Sequence, residues 1–340
     1  MVEKKILCFG ELLLRLSPEL NGSWIKNNLI SVYIGGAELN VATALALWNI
    51  PVSYCTALPE NYLSREITKY ISEKKIDVGS ISFSGERIGN YYLPQGADLK
   101  NAGVIYDRAY SSFSELQVGQ IDWDAVLVDV SWFHFSAISP ALNENVAAVC
   151  KEALQVASSK KIKISVDLNY RNKLWKYGKQ PKEIMPSLVE HCNLIMGNIW
   201  AAGDLLGITA DADVHKINNK ETYLAHAIST SEAIIKMFPT CTAVANTFRF
   251  DAGNAIKYYA SLNSHNQQFV SQEFLAENVV DKVGSGDCFM AGLIYGYHNK
   301  LSEQETIDFA TAAAYNKLFI KGDATTSSAE NIKQLYLHHV

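Results

Sequence analysis

Short apolar runs alternate with longer stretches of helical spacing along most of this chain, and that order leaves few architectures open. Ile6–Phe9, Val52–Leu58, Ile162–Val166 and Thr242–Ala245 read as buried strands. Ala37–Trp48, Asn61–Lys75, Asn143–Ser159 and Glu221–Phe238 repeat apolar residues every three or four positions, as helices do. Further strands are expected at Val78–Phe83, Ala125–Val130, Trp132–Ile138 and before Gly197, and a hairpin at Ile256–Leu262 with Phe269–Phe274. Helices are expected to run to about His298, from Ser302 to Phe319 and near Glu330–Leu337. The alternation predicts an α/β fold: a doubly wound, mostly parallel sheet with helices on both faces and right-handed crossovers.

Two segments break the rhythm. Residues 15–35 alternate loosely, and residues 88–110 hold two short strand-like pieces, Gly89–Pro94 and Gly103–Arg108, around a polar loop. Together they are expected to form a small β lid on a single domain spanning 1–340. Thr209–Lys220 reads as a polar surface insertion.

Composition narrows the function classes. A net charge of -5 without a basic run argues against a nucleic-acid surface. The first apolar run is interrupted by Glu11 and Arg15, and no stretch reaches the length of a membrane span, so no membrane role is expected. The six cysteines are dispersed with no C-x-x-C pair, which predicts a reduced, cytoplasmic protein without disulfides or a zinc site. The histidines lack H-E-x-x-H spacing, and neither a G-x-S-x-G elbow nor a dinucleotide fingerprint after the first strand is present.

Chemistry concentrates at Val279–Ile294. Gly284-Ser285-Gly286 is a small-residue turn feeding an apolar helix start, where unpaired N–H groups and a positive partial charge favour an anion. Asp287 in that first turn is either a partner of the helix dipole or a general base beside a bound phosphate. Gly35-Gly36, ahead of another helix, is either a plain turn and cap or a point of close ligand approach. Asp167-Leu168-Asn169-Tyr170-Arg171 crowds polar groups at the C-terminal end of a buried strand, where open α/β sheets bind ligands.

These motifs carry a family resemblance over essentially the whole chain, weakest between about 199 and 275. Gly35-Gly36-Ala37-Glu38-Leu39-Asn40-Val41-Ala42 resembles the N-terminal signature of the ribokinase-like (PfkB) sugar kinases, and Asp281-Lys282-Val283-Gly284-Ser285-Gly286-Asp287 resembles their C-terminal one. The stretches from Phe9 to Pro18, Val104 to Ala109, Trp132 to Ser136 and Asp167 to Trp175 are similar to the 2-keto-3-deoxygluconate kinase branch.

The resemblance implies transfer of the γ-phosphate of ATP, with Mg²⁺, to the terminal hydroxyl of 2-keto-3-deoxygluconate. It implies Asp287 as catalytic base and Gly284, Ser285 and Gly286 as anion hole. Gly35, Gly36 and Asn40 would contact the sugar, and Tyr91, Tyr106, Arg108 and Arg171 would hold the acid sugar. Asn198, Thr247 and Arg249 would face the nucleotide. Metal ligands stay unassigned, and a monovalent cation is a further candidate cofactor. A homodimer through the lid is expected, since an open sheet edge with Tyr33, Ile34 and Tyr92 invites pairing.

Departures from the pattern keep alternatives open. Ile199, Trp200 and Ala201 follow Asn198 where relatives carry acids, and Ala245–Phe250, expected as a loop approaching the nucleotide, lacks a Gly-rich form. Lys282 and Cys288 replace smaller residues. The alternatives are another sugar kinase of this fold, acting on fructose or a nucleoside, and a degenerate relative that binds an acid sugar without turning it over.

Overall fold

The computed structural model describes residues 4–18, 23–25, 29–94, 103–209, 219–253 and 255–337. The strands among them are β1 (Lys5–Phe9), β2 (Leu13–Ser17), β3 (Ser31–Gly35), β4 (Val52–Leu58), β5 (Ile76–Asp77), β6 (Ile81–Phe83), β7 (Gly89–Tyr92), β8 (Ile105–Asp107), β9 (Val130–Ser136), β10 (Lys163–Asp167), β11 (Leu194–Gly197), β12 (Ala243–Ala252), β13 (Ala255–Ser264), β14 (Gln267–Val270) and β15 (Phe274–Ala276). The helices are α1 (Ala37–Leu47), α2 (Tyr62–Glu73), α3 (Trp123–Val126), α4 (Glu144–Ser159), α5 (Pro181–Ile184), α6 (Pro186–Val189), α7 (Ala201–Leu206), α8 (Lys220–Met237), α9 (Ser285–His298), α10 (Glu303–Lys317) and α11 (Ala329–Leu337). None of them is long and apolar enough to cross a membrane.

The main sheet runs β14-β13-β12-β11-β10-β9-β1-β4-β5, with β15 beside β13 and β6 beside β4. It is parallel from β12 through β5 and antiparallel at the β12–β15 end. The α/β class read from the alternation is the one observed. Buried strands at its centre are apolar on both faces, and each face carries its own core. One core holds α1, α9, α10 and α11 against residues such as Ile6, Tyr54, Met196 and Leu262. The other holds α4 and α6 to α8 against residues such as Leu7, Phe133, Ile164 and Val244. All six cysteines are buried and unpaired.

Two expectations need correction. Ala125–Val130 is not a strand. Asp122 accepts the backbone N–H of Ala125 at 3.1 Å, which starts α3, buries Trp123 and leaves Val128 facing solvent. Nor is Ala245–Phe250 a loop, because β12 continues to Ala252 and pairs with β13 over ten residue pairs, from Ala243↔Ser264 to Ala252↔Ala255. The antiparallel pairs expected around Ile256–Leu262 lie at β13–β14 and β13–β15. Of the polar insertion at Thr209–Lys220, residues 210–218 lie outside the described residues, as do 19–22, 26–28 and 95–102 of the lid segments.

A second sheet, ordered β3-β2-β7-β8, stands over the C-terminal ends of the main strands. Its inner side contributes Leu13, Tyr91, Leu93 and Val104 to a small apolar cluster with Val283. It is also held electrostatically. Arg15 of β2 is fully buried, with Nη2 donating to Asp281 Oδ2 at 2.8 Å and Nε 2.8 Å from Asp323 Oδ1. Its guanidinium lies 4.3 Å from the ring centroid of Tyr33 on β3, and Tyr91 of β7 donates its hydroxyl proton to Asp323 Oδ2 at 2.6 Å.

Removing one partner of a buried ion pair leaves uncompensated charge and costs about 3–5 kcal/mol. Arg15→Met is therefore expected to lower unfolding stability by about that amount, read as a fall in the urea midpoint, because Asp281 and Asp323 lose a shared cation. Arg65→Met, which removes an exposed pair with Glu60, is expected to change the midpoint little.

Candidate active site

A cavity of about 420 Å³ lies between the second sheet and the strand ends. Its floor is made by two helix N-termini. Gly36 at the start of α1 has φ 131, and a Cβ there would come within 2.4 Å of the Glu11 carbonyl, so only glycine fits. At the start of α9, Gly284 sits in the left-handed region with φ 77, and a Cβ added to it would lie 1.7 Å from the Asp323 carbonyl. These constraints fix both turns against the chain behind them and bring the uncapped first N–H groups of each helix to the cavity.

Gly284, Ser285, Gly286 and Asp287 all line the cavity, as do Gly36 and Asn40. Asn40 donates its amide to Asp287 Oδ2 at 2.7 Å, so the carboxylate is held in one orientation by a neighbouring helix. Gly35 does not line the cavity. It ends β3 with its Cα against Asp323, whose Oδ2 lies 2.3 Å from where a Cβ would stand. Its smallness makes room for that carboxylate.

Tyr91, Tyr106, Arg108 and Arg171 line the same cavity. Arg108 is nearly buried and already paired, with Nε 2.6 Å and Nη2 2.5 Å from Glu11 Oε2. Glu11 also accepts the hydroxyl of Ser111 through its other oxygen. Arg171 donates locally, to the Tyr170 carbonyl at 3.0 Å, and its charge is felt at Asp287. Asn198, Thr247 and Arg249 line it too. Asn198 accepts the backbone N–H groups of Trp200 and Ala201 through Oδ1, both at 3.0 Å, and so begins α7.

The apolar residues after Asn198 have a packing role. Ile199 is buried with Tyr223, Phe248 and Tyr259, and Trp200 packs on the same cluster. Along β12 the alternation is strict: Thr247, Arg249 and Asp251 line the cavity while Phe248 and Phe250 join that cluster on the other face.

Several cavity residues are not singled out by the sequence motifs. Glu38 accepts both the N–H (2.9 Å) and the hydroxyl (2.6 Å) of Ser136 through Oε1, from a fully buried position. Glu11, Asp251, Tyr258 and Lys282 line the wall as well. The acid after the first strand is a visible signal for Glu11. Asp323 follows Lys321-Gly322 in what reads as an ordinary turn, and only the fold brings it to Arg15 and Tyr91.

Burial pushes the Asp287 carboxyl up to about 6, against the Asn40 hydrogen bond and the charges of Arg171 and Lys317. Burial likewise pushes Glu38 up to about 7, against its Ser136 bonds, with the Asp287 charge adding to the rise. A carboxyl whose folded value is raised binds its proton more tightly folded than unfolded. Stability is then highest at low pH and is lost as pH rises from the unfolded value near 4 through the folded value near 6. Asp287→Asn is accordingly expected to be more stable than wild type by on the order of 2 kcal/mol at pH 8, with the gain vanishing near pH 4 in paired denaturation curves.

Comparison with known proteins places this geometry in a class. The model of the pfkB family of carbohydrate kinases matches residues 3–329. The chain therefore belongs to that family and is a carbohydrate kinase. A solved structure of 2-dehydro-3-deoxygluconokinase from Thermotoga maritima superposes with a TM-score of 0.89 at 31% identity, covering 98% of this chain and 99% of that one. The 2-dehydro-3-deoxygalactonokinase of Haloferax volcanii is 24% identical over 97% of this chain and 96% of its own. The 2-dehydro-3-deoxygluconokinase of Haemophilus influenzae is 26% identical over 86% and 87% respectively.

Kinases of the family use ATP with Mg²⁺. Among the described residues no three acids, histidines or cysteines are grouped to hold a metal ion. Mg²⁺ that arrives with a nucleotide keeps mainly phosphate and water oxygens and asks one or two oxygens of the protein. Asp167, in the wall at the end of β10, has that donor chemistry, whereas the Asn198 oxygen is already taken by the N–H groups of Trp200 and Ala201.

Proposed function

We propose that this kinase transfers the γ-phosphate of ATP to the terminal hydroxyl of 2-keto-3-deoxygluconate. The observation that carries the reading is one cavity lined both by an oriented buried carboxylate at a helix N-terminus and by two arginines and two tyrosines. The sugar carboxylate would lie against Arg171, a planar fork being the suited partner for a carboxylate, with Tyr91, Tyr106 and the Glu11-paired Arg108 beside it. Gly36 and Asn40 would bound the sugar chain. Its terminal hydroxyl would then reach Asp287, which takes the proton as the oxygen attacks phosphorus.

The N–H groups of Gly284, Ser285 and Gly286 would receive the charge that develops on the transferring phosphoryl, and being fixed by the turn they need no reorganisation. Asn198, Thr247 and Arg249 would face the nucleotide. Mg²⁺ bound with it would neutralise phosphate charge, with Asp167 in the cavity wall. Asp287 must be ionised to act, so kcat/KM is expected to fall as pH drops below about 6. A second copy of the chain packing on the outer lid face, where Val32 and Ile105 are exposed, belongs to the same proposal, and sedimentation would test it.

The galactonate epimer is a second reading, favoured by the Haloferax relative of nearly full coverage. A binding-only relative is disfavoured, since Asp287 and its turn are intact and the apolar residues at 199 and 200 are accounted for by packing.

Coupled ATP-turnover assays over 2-keto-3-deoxygluconate, its galactonate epimer, fructose and nucleosides test the reading. Acid sugars are expected to lead, and preference for a neutral sugar would overturn the substrate class. Asp287→Asn is expected to lower kcat by about 10²–10⁴-fold with sugar binding retained by calorimetry. Arg171→Met is expected to raise KM for the acid sugar selectively.

A further inference from the structure

Behind the cavity wall stands a buried lysine. Lys317, the last residue of α10, is fully buried and does not line the cavity. Its Nζ donates to the Ile320 carbonyl at 2.9 Å. Its Cε lies 3.5 Å from where a Cβ on Gly284 would stand, so the side chain backs directly on the left-handed residue that opens the anion-binding turn. The charges that face it come from three other elements: Asp281 before the turn, Asp323 after α10 and Arg15 on β2, with the Cys288 thiol from α9. Burial opposes its charge, the two carboxylates favour it, and its own charge in turn favours an ionised Asp287.

The balance of charges gives the side chain a task. Arg15 and Lys317 balance Asp281 and Asp323. Without Lys317 the set would be net negative, directly behind the N–H groups that must attract a phosphoryl anion. A lysine placed there only for packing would be needlessly costly to bury.

We propose that Lys317 is a positioning residue for phosphoryl transfer: a cation built into the chain that neutralises the carboxylates behind Gly284–Gly286, so that no added monovalent cation is needed there. This rests on reading that turn as the anion hole.

The test uses the full chain and whichever sugar of the panel the wild type phosphorylates fastest, so an error in substrate assignment would show in that choice and leave this comparison intact. Lys317→Met keeps the stem and removes the charge. Its kcat is expected to fall about 10–100-fold while KM for the sugar moves less than about threefold, as loss of one nearby buried charge predicts. The double variant Lys317→Met with Asp281→Asn restores neutrality and is expected to recover much of that loss. A folded Lys317→Met with kcat near wild type overturns the proposal. So does a double variant as impaired as the single one, because the loss would then follow packing and not charge. Replacing all potassium and sodium by tetramethylammonium is expected to leave the wild-type rate unchanged. A collapse of rate there overturns the proposal even if Lys317→Met does not fold.

Discussion

The buried guanidinium of Arg15 is the contact on which the rest of the site depends. It reaches from the small sheet to Asp281, just before the anion-binding turn, and to Asp323, which presses on Gly284 through its carbonyl and on Gly35 through its carboxylate. A fully buried arginine is tolerable only where carboxylates meet it, and both are buried here. The same three residues thus dock the lid sheet, seat the turn and hold Tyr91 by its hydroxyl. The small sheet and the Gly284–Gly286 turn are parts of one electrostatic unit.

That unit bears on how the Asp287 carboxylate can ionise in a place so dry. Burial pushes the Asp287 carboxyl up. The Asn40 amide and the charges of Arg171 and Lys317 offset it, leaving the group poised about one unit below neutrality. Glu38, a neighbour in the same cavity, is left higher, at about 7: burial raises it and the Asp287 charge adds to the rise, against its bonds to Ser136 and the charge of Arg108. Two acids in one pocket so differ in character through their partners.

Much of this is legible in the amino-acid sequence, because the signals are local. The strand–helix alternation is a consequence of burying strands between two helical layers, and the Gly-rich turns at 35–36 and 284–286 mark helix starts with uncovered backbone. What escapes is non-local. Asp323 and Lys317 become visible only when α10 and the loop after it fold back on Gly284, and Glu38 has no role until Ser136 on β9 meets it. The segment 245–250 misleads because the family resemblance places a loop there, whereas Thr247 and Arg249 lie on one face of a strand. At Ala125–Val130 the apolar run resembles a strand, but the Asp122 cap diverts it into a helical turn.

The alternation along β12 has an evolutionary corollary. Thr247, Arg249 and Asp251 share one face, and Phe248 and Phe250 the other, and a shift of one residue would exchange the two sets. Gain or loss of a single codon within 247–251 would thus put rings into the cavity and charges into the aromatic cluster. Length variation among descendants of this sequence should collect beyond Ala252, at the turn between β12 and β13, while 247–251 drifts by substitution alone.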